Sequence, residues 1–247
     1  MLKQFRKTIP LPLSWPRNLL LRDFDLEMAP VSQRDDFSCG AACLKMMMEY
    51  LGVSCPMETL RHMMPPIPGI GLHDTHVAMC AMKFGFTPTI YTYNYCLMHP
   101  IWNHLTDDEI LEELVHIRDD PQSREQAIAA EGYCRYLLAG GHLIFYPLSK
   151  ELILAHFDRG LPCMAALDMA FLYDCMPFDE DEKRATHFIV INGYDPNKNH
   201  FHITDPWHTI PLENDDGRYS IDADRVVNAI LLGQHRNDSA LIVLECS

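Results

Sequence analysis

The clearest hydrophobic pattern in the chain lies between Ser38 and Gly52. Apolar residues recur there at spacings of three and four, which predicts a helix with one buried face. Ser38 is of a residue type that often caps a helix start, and Gly52 is of one that often ends a helix. A similar pattern predicts a second helix over Leu72–Phe84. The recurring apolar positions of the first helix are Cys43, Met46, Met47, Tyr50 and Leu51.

Two other stretches differ from these helices. Residues 1–30 contain three prolines between positions 10 and 16, so they are predicted to form an arm of turns and short extended pieces. Residues 94–140 are charged and amphipathic, which favours a block of helices.

After residue 141 the pattern changes to the alternation typical of strands. One further helix, Lys150–Arg159, interrupts the series and ends at Gly160. We therefore predict an α+β fold with helices first and an antiparallel sheet second, in a single domain over residues 31–247. The predicted strands are 142–146, 163–168, 187–195, 200–206 and the ALIVLEC segment at 240–246.

Charge, hydropathy and cysteine content limit the classes of protein to which this sequence can belong. The 34 acidic and 20 basic residues leave a net charge of -14, the wrong sign for binding nucleic acid or anionic lipid. No run of about 18 uncharged apolar residues is present, so no membrane span is predicted. Nine scattered cysteines, with no secretory signal before them, indicate reduced thiols and a cytoplasmic protein. The oligomeric state stays open.

Cys39 directly follows the predicted cap, in the first turn of the helix. Unpaired backbone N–H groups and the helix dipole favour a thiolate there. The cysteine also shares the buried face with Cys43 and Tyr50, so its sulfur is expected to point toward the body of the protein. Taken alone, a cysteine at such a place is more often a small buried hydrophobe.

His187 opens a predicted strand, and Asp205 comes near the end of the next one. If the turn between the two strands has an odd number of residues, both side chains lie on one face. A carboxylate in that place would orient the imidazole and stabilise the imidazolium. The alternative is a surface histidine near an Asp-Pro bend. Gln33, six residues before Cys39, is a candidate to bind an oxyanion together with the Cys39 N–H.

These four residue types, in this order, resemble a known family. The segments Gln33-Arg-Asp-Asp-Phe-Ser-Cys39-Gly-Ala-Ala, His187-Phe-Ile-Val-Ile and Asp205-Pro resemble the C39-like cysteine peptidases of the papain-like superfamily, including the branch named guanylyl-cyclase-like. The similarity covers about residues 30–247. Within it, the 94–140 block looks like an insertion or an elaboration.

The resemblance implies a papain-like fold, in which a helical part carrying Cys39 packs on an antiparallel sheet carrying His187 and Asp205. It implies Cys39 as nucleophile, His187 as general base, Asp205 as the orienter of His187 and Gln33 as oxyanion donor. The implied reaction is hydrolysis of a peptide or amide bond in a peptide or protein, without a cofactor. Acyl transfer or deamidation would use the same residues. A catalytically silent module that binds a peptide is an alternative of another class.

Other motifs carry weaker hypotheses. Two histidine groups lack the further ligand spacing of a recognised zinc site, so no metal is predicted. A phosphate-binding glycine loop is missing as well, which argues against a nucleotide cyclase. The acidic run at 178–182 is a hypothesis for preference toward positively charged substrates, and Trp207 is either a wall of the cleft or a core residue. The histidine groups are His73 with His76, and His200 and His202 with His208.

Overall fold

The computed structural model describes residues 17–174, 186–207, 216–236 and 239–246. The predictions for the first 16 residues of the arm, for the acidic run at 178–182 and for His208 lie outside the described residues.

The helices of the described residues are α1 Cys39–Tyr50, α2 Met57–Met63, α3 Asp74–Met82, α4 Asp107–Asp119, α5 Arg124–Leu138, α6 Lys150–Phe157, α7 Met169–Tyr173 and α8 Ala223–Leu232. The helices α1, α3 and α6 begin and end within about two residues of the predicted positions. Short 3-10 helices cover Arg17–Leu21, Pro100–His104 and Gly233–Arg236.

The 94–140 block contains two α-helices, α4 and α5, as its pattern predicts. Each of them starts at a capping residue. Thr106 and Glu109 cap each other reciprocally at the start of α4, with the Glu109 N–H donating to Thr106 Oγ1 at 3.2 Å and the Thr106 N–H donating to the Glu109 carboxylate at 2.8 Å. Ser123 Oγ accepts from the Gln126 N–H at 3.1 Å at the start of α5. These local bonds satisfy N–H groups that a helix start leaves unpaired.

The strands form one sheet in the order β3-β2-β8-β4-β5-β6-β7, and β1 pairs with β5. All neighbours are antiparallel except β2 and β3, which are parallel. The strand bounds are β1 Phe24–Asp25, β2 Phe86–Thr92, β3 His142–Ile144, β4 Cys163–Asp168, β5 Thr186–Asp195, β6 His200–Thr204, β7 Arg218–Asp222 and β8 Ala240–Cys246.

Both faces of the sheet are covered, and β5 contributes to both cores. Phe188 and Val190 belong to the core that includes α1, α3 and α5, whereas Ile189 and Ile191 belong to the core that includes α6 and α8. Alternate residues of a strand point to opposite faces, which explains this division. The α+β class, with the cysteine helix against an antiparallel sheet, is confirmed.

The order of helices first and sheet second holds only approximately. β2 comes before α4 and α5 in the chain but lies inside the sheet, between β3 and β8. The sequence pattern also did not predict α2, α7, α8, β1 or β7. β1 has two residues and α7 has five, so both are too short for a repeating apolar pattern, and no residue of β7 is buried.

Candidate active site

Cys39 is the first residue of α1 and is 9% exposed. One turn later, the Cys43 thiol donates to the Phe188 carbonyl at 3.2 Å, which joins α1 to β5 beside His187. A Cβ on Gly40 would lie 3.1 Å from Val77, so the helix start is closely packed. The Cys39 side chain lies close enough to the His187 ring to raise its pKa.

The turn before Cys39 is held by Ser38, but not as the sequence predicts. Ser38 forms no side-chain cap on α1. Its Oγ instead accepts from the N–H groups of Arg34 at 2.9 Å and Asp35 at 3.1 Å. The predicted cap is therefore wrong, because the hydroxyl turns back into the preceding loop. The Asp35 carboxylate accepts from the Phe37 N–H at 3.0 Å and pairs with Arg61, which closes the turn.

Gln33 lies at the other end of this turn. Its backbone N–H donates to the Pro206 carbonyl at 2.8 Å, directly after Asp205. Its side-chain Nε2 donates to the Asp35 carbonyl at 3.1 Å, and its Oε1 is buried with no hydrogen-bond partner among the described residues. A primary amide carries two N–H donors, so one remains beyond the bond to Asp35.

His187 and Asp205 are brought together by an irregularity in β5. The turn between the paired residues Asp195 and His200 has four residues, an even number, which by itself would place the two side chains on opposite faces. The pairing then shifts by one residue at Asn192, from Gly193↔His202 to Ile191↔Ile203. A shift by one residue exchanges the faces of all later side chains, so Asp205 comes to the face of His187.

His187 and Asp205 form a buried pair, 5% and 0% exposed, with Nε2 and Oδ1 2.9 Å apart. Burial by itself lowers the pKa of His187, but the charge and hydrogen bond of Asp205, together with Cys39, raise this pKa to about 10. The ring is therefore protonated at neutral pH. A protonated imidazole next to a cysteine favours the thiolate.

Three further groups bond to the Asp205 carboxylate. The Trp207 N–H donates to Oδ1 at 2.8 Å, and the hydroxyls of Tyr173 and Tyr219 donate to Oδ2 at 2.5 and 2.9 Å. Sequence reasoning missed both tyrosines. Tyr173 ends α7 and Tyr219 lies in β7, two elements that the pattern did not predict, so no local signal marks them.

Trp207 lies against the candidate site. Its ring centroid is 6.3 Å from that of His187 and 5.6 Å from that of Tyr173, and its side chain is partly exposed.

The rings of His73 and His76 are 6.2 Å apart, at the start of α3. Within the described ranges, no group of three or more His, Cys, Asp or Glu side chains is arranged to hold a metal ion. None of the helices in those ranges is long and apolar enough to cross a membrane.

The helix that carries Cys39 packs against a largely antiparallel sheet whose strand β5 carries His187, and Asp205 directly follows strand β6. The family model described as "Peptidase C39 family" matches residues 27–94. This segment includes Gln33 and Cys39 and ends before His187. The resemblance to the C39 peptidases is thus confirmed over this part of the chain, and the match supports a cysteine peptidase. The guanylyl-cyclase-like branch stays a prediction.

Solved structures with some likeness to the chain are peptidases. The first is a double glycine motif protease from an AMS/PCAT transporter in complex with the leader peptide, 13% identical, covering 91% of this chain and 95% of that chain, with a TM-score of 0.44. The peptidase domain of Streptococcus ComA, a bi-functional ABC transporter involved in quorum sensing, is 13% identical, with coverages of 90% and 100% and a TM-score of 0.45. Xylellain, a cysteine protease from Xylella fastidiosa, is 12% identical, with coverages of 95% and 90% and a TM-score of 0.37. No curated protein sequence matches the chain.

Proposed function

We propose that this protein is a cysteine peptidase that hydrolyses a peptide or amide bond with Cys39 as nucleophile and His187 as its acid and base. The observation that carries the proposal is the position of Cys39 beside the His187 ring, which is hydrogen-bonded to the buried carboxylate of Asp205. The three residues come from distant parts of the chain and meet in one buried place. A nucleophile, a base and an orienting carboxylate in contact are the requirements for thiol catalysis.

In the proposed reaction, the Cys39 sulfur attacks the carbonyl carbon of the substrate. The oxyanion accepts hydrogen bonds from the Cys39 N–H, at the helix start, and from the remaining N–H of the Gln33 amide. His187 donates the proton that it took from Cys39 to the leaving amine as the C–N bond breaks. Water, deprotonated by His187, then attacks the thioester, which releases the acid and returns the thiol.

Brief alkylation with iodoacetamide at neutral pH, followed by intact-mass measurement and peptide mapping, tests the nucleophile. Cys96 and Cys246 are exposed free thiols, whereas Cys39 is buried. We nevertheless expect Cys39 to be alkylated first, because it lies beside the His187 ring, whose pKa is raised to about 10. The Cys39→Ala variant is expected to lose the fast reaction, and His187→Ala to slow it about tenfold or more.

The control for general loosening of the fold is His156→Ala. His156 is also a buried histidine, but its ring bonds to Tyr91 rather than to a candidate site residue. This variant is expected to leave the alkylation of Cys39 unchanged. Equal and slow labelling of several cysteines in the natural protein would contradict the proposed nucleophile.

Products distinguish hydrolysis from the reactions that share its residues. A peptide library incubated with the protein is expected to yield fragments with new carboxyl and amino ends, and Cys39→Ala should yield none. Transfer of the acyl group to an added amine would indicate an acyltransferase instead. Conversion of an amide side chain to an acid without cleavage would indicate a deamidase. Binding of peptides without any product would indicate a silent module.

A further inference from the structure

The Asp205 carboxylate accepts four hydrogen bonds, two on each oxygen. Oδ1 accepts from His187 Nε2 and from the Trp207 N–H, and Oδ2 accepts from the hydroxyls of Tyr173 and Tyr219. Each carboxylate oxygen has about two acceptor sites, so this set saturates the group. A fully buried carboxylate with no access to water needs such donors to hold its charge.

The two tyrosines act as donors because their hydroxyls stay neutral. Burial, and then the neighbouring charge of Asp205, raise the pKa of Tyr173 and of Tyr219 well above the ordinary range. The two rings lie 6.5 Å apart and approach Asp205 from different elements, α7 and β7. Both hydroxyls therefore stabilise the same oxygen, Oδ2, and leave Oδ1 for His187.

Titratable groups from four elements face this carboxylate among the described residues. Cys43 comes from α1, His187 from β5, Tyr173 from α7 and Tyr219 from β7, and Cys39 of α1 acts on His187. Of these groups only His187 can carry a positive charge. The negative charge of Asp205 is thus stabilised by one imidazolium and by three neutral donors. The two tyrosine hydroxyls provide two of its four hydrogen bonds.

Tyr173 is held in place by bonds from outside its own helix. α7 has five residues, too few to be stable alone. Asp168 caps its start by accepting from the Phe171 N–H at 2.8 Å. Arg225 donates from Nε and Nη2 to the Phe171 carbonyl at 3.1 and 2.8 Å, which ties α7 to α8. These hydrogen bonds fix the position of α7, and with it the position of the Tyr173 hydroxyl.

We infer that Tyr173 and Tyr219 are positioning residues that keep Asp205 as the charged partner of His187 by donating both hydrogen bonds to Oδ2. The inference rests on the proposed function, because it assigns these tyrosines a part in activating Cys39. It follows from the geometry that loss of both hydroxyls leaves a buried carboxylate with half of its donors. Oδ2 then has no donor, so the carboxylate is held less firmly against His187 and stabilises the imidazolium less.

The test is the pH profile of Cys39 alkylation by iodoacetamide in Tyr173→Phe, Tyr219→Phe and the double variant. We expect the acidic midpoint of the profile to rise by about one pH unit in the double variant, and alkylation on the acidic limb to slow about tenfold. Each single variant should give a smaller rise. The control is Tyr91→Phe, which removes a buried hydroxyl that bonds to His156.

A merely structural role for the tyrosines would lower the unfolding temperature without moving the midpoint. If the double variant folds and the acidic midpoint of its alkylation profile is unchanged or lower, the inference is overturned. If the double variant does not fold, the partly exposed Tyr219 provides the decisive single substitution.

A second readout separates this inference from the proposed function. The protonation of the His187 ring, followed by NMR against pH, does not depend on Cys39 being a nucleophile. In the natural protein the ring is expected to stay protonated through neutral pH, and in the double variant it is expected to lose its proton at lower pH. If Cys39 is not alkylated selectively but the His187 ring still responds to the tyrosine substitutions, the proposed peptidase function is rejected and the positioning role is retained. If Cys39 is alkylated selectively but the ring does not respond, only the positioning role is rejected.

Discussion

The positive charge of His187 depends on the neighbouring carboxylate of Asp205. The ring is buried, and burial opposes its protonation, yet the carboxylate raises the pKa of His187 to about 10. A folded pKa above the ordinary 6.5 means that protonation of His187 stabilises the fold fully below about pH 6.5. This contribution is lost as the pH rises toward 10. The positive charge of His187 thus stabilises the fold at neutral and acidic pH.

Replacement of Asp205 by Asn tests this pair at the scale of one residue. The substitution keeps the shape of the side chain but removes its charge, so the lowering of the His187 pKa by burial is then opposed mainly by Cys39. We expect the ring to be neutral at pH 7 by NMR. Alkylation of Cys39 at that pH should fall at least about tenfold.

The exposed carboxylate of Asp216, which bonds to Arg218, provides the matched substitution Asp216→Asn. It should leave both measurements unchanged. A His187 ring that titrates alike in Asp205→Asn and in the natural protein would show that the carboxylate does not set its protonation.

At the scale of elements, the bulge in β5 decides which residues meet. Asn192 is held there by three hydrogen bonds. Its Nδ2 donates to the Leu26 carbonyl at 3.0 Å, its backbone carbonyl accepts from the Leu26 N–H at 2.8 Å, and its Oδ1 accepts from Thr204 Oγ1 at 3.1 Å. The next residue, Gly193, pairs with Asp25 of β1. The short strand β1 thus supports the irregularity that aligns His187 with Asp205.

Gly193→Ala is the substitution that tests the bulge. A Cβ at this position would lie 2.5 Å from the backbone oxygen of Phe24 and 2.7 Å from His202 Nδ1, so β1 or β5 has to move. We expect the free energy of unfolding to fall by about 1–3 kcal/mol in chemical denaturation. Alkylation of Cys39 in the folded variant should also slow, because the register before Asp205 is disturbed.

Ser220→Ala is a suitable control, since this exposed side chain lies on the neighbouring strand β7. Lower stability with unchanged alkylation would mean that the bulge supports the sheet without setting the candidate site.

At the scale of the whole molecule, a buried polar network joins the 94–140 block to the rest of the protein. Tyr133 of α5 donates to the Asp74 carboxylate at 2.5 Å and accepts from Asn94 Nδ2 at 2.9 Å. Asn94 Oδ1 in turn accepts from the N–H of Ser239, just before β8. The block is therefore fixed to α3 and to the sheet by hydrogen bonds, not only by apolar packing.

The pH dependence of stability tests this network through Asp74. Burial raises the pKa of Asp74 to about 6, and the bonds from Tyr133 and the Thr75 N–H only partly oppose this rise. Protonated Asp74 therefore stabilises the fold fully below about pH 3.8, and this contribution is lost as the pH rises through about 6. The loss is about 3 kcal/mol.

Asp74→Asn lacks this titration. The free energy of unfolding of the variant, relative to that of the natural protein, is expected to rise by about 3 kcal/mol between pH 4 and pH 7. The exposed Asp23→Asn should show no such change. A constant difference across this pH range would mean that Asp74 does not titrate in the folded protein.

Structural features that depend on contacts between residues close in sequence are predicted better than those that depend on residues far apart in sequence. β4 and β8 begin and end at the predicted residues, because continuous apolar runs mark buried strands. Ser38 shows the limit at short range, since the residue type is right for a cap but its hydroxyl bonds backwards to the loop.

The sequence by itself determined the start of α1 at Cys39, the strand that carries His187 and the order of the four candidate residues, because helical and strand periods are local properties of the chain. Only the tertiary structure decided that Asp205 faces His187 and that Tyr173 and Tyr219 bond to its second oxygen. The physical reason is that a bulge and a shared hydrogen-bond acceptor depend on side chains and backbone groups that are distant in sequence and become neighbours only when the sheet is assembled.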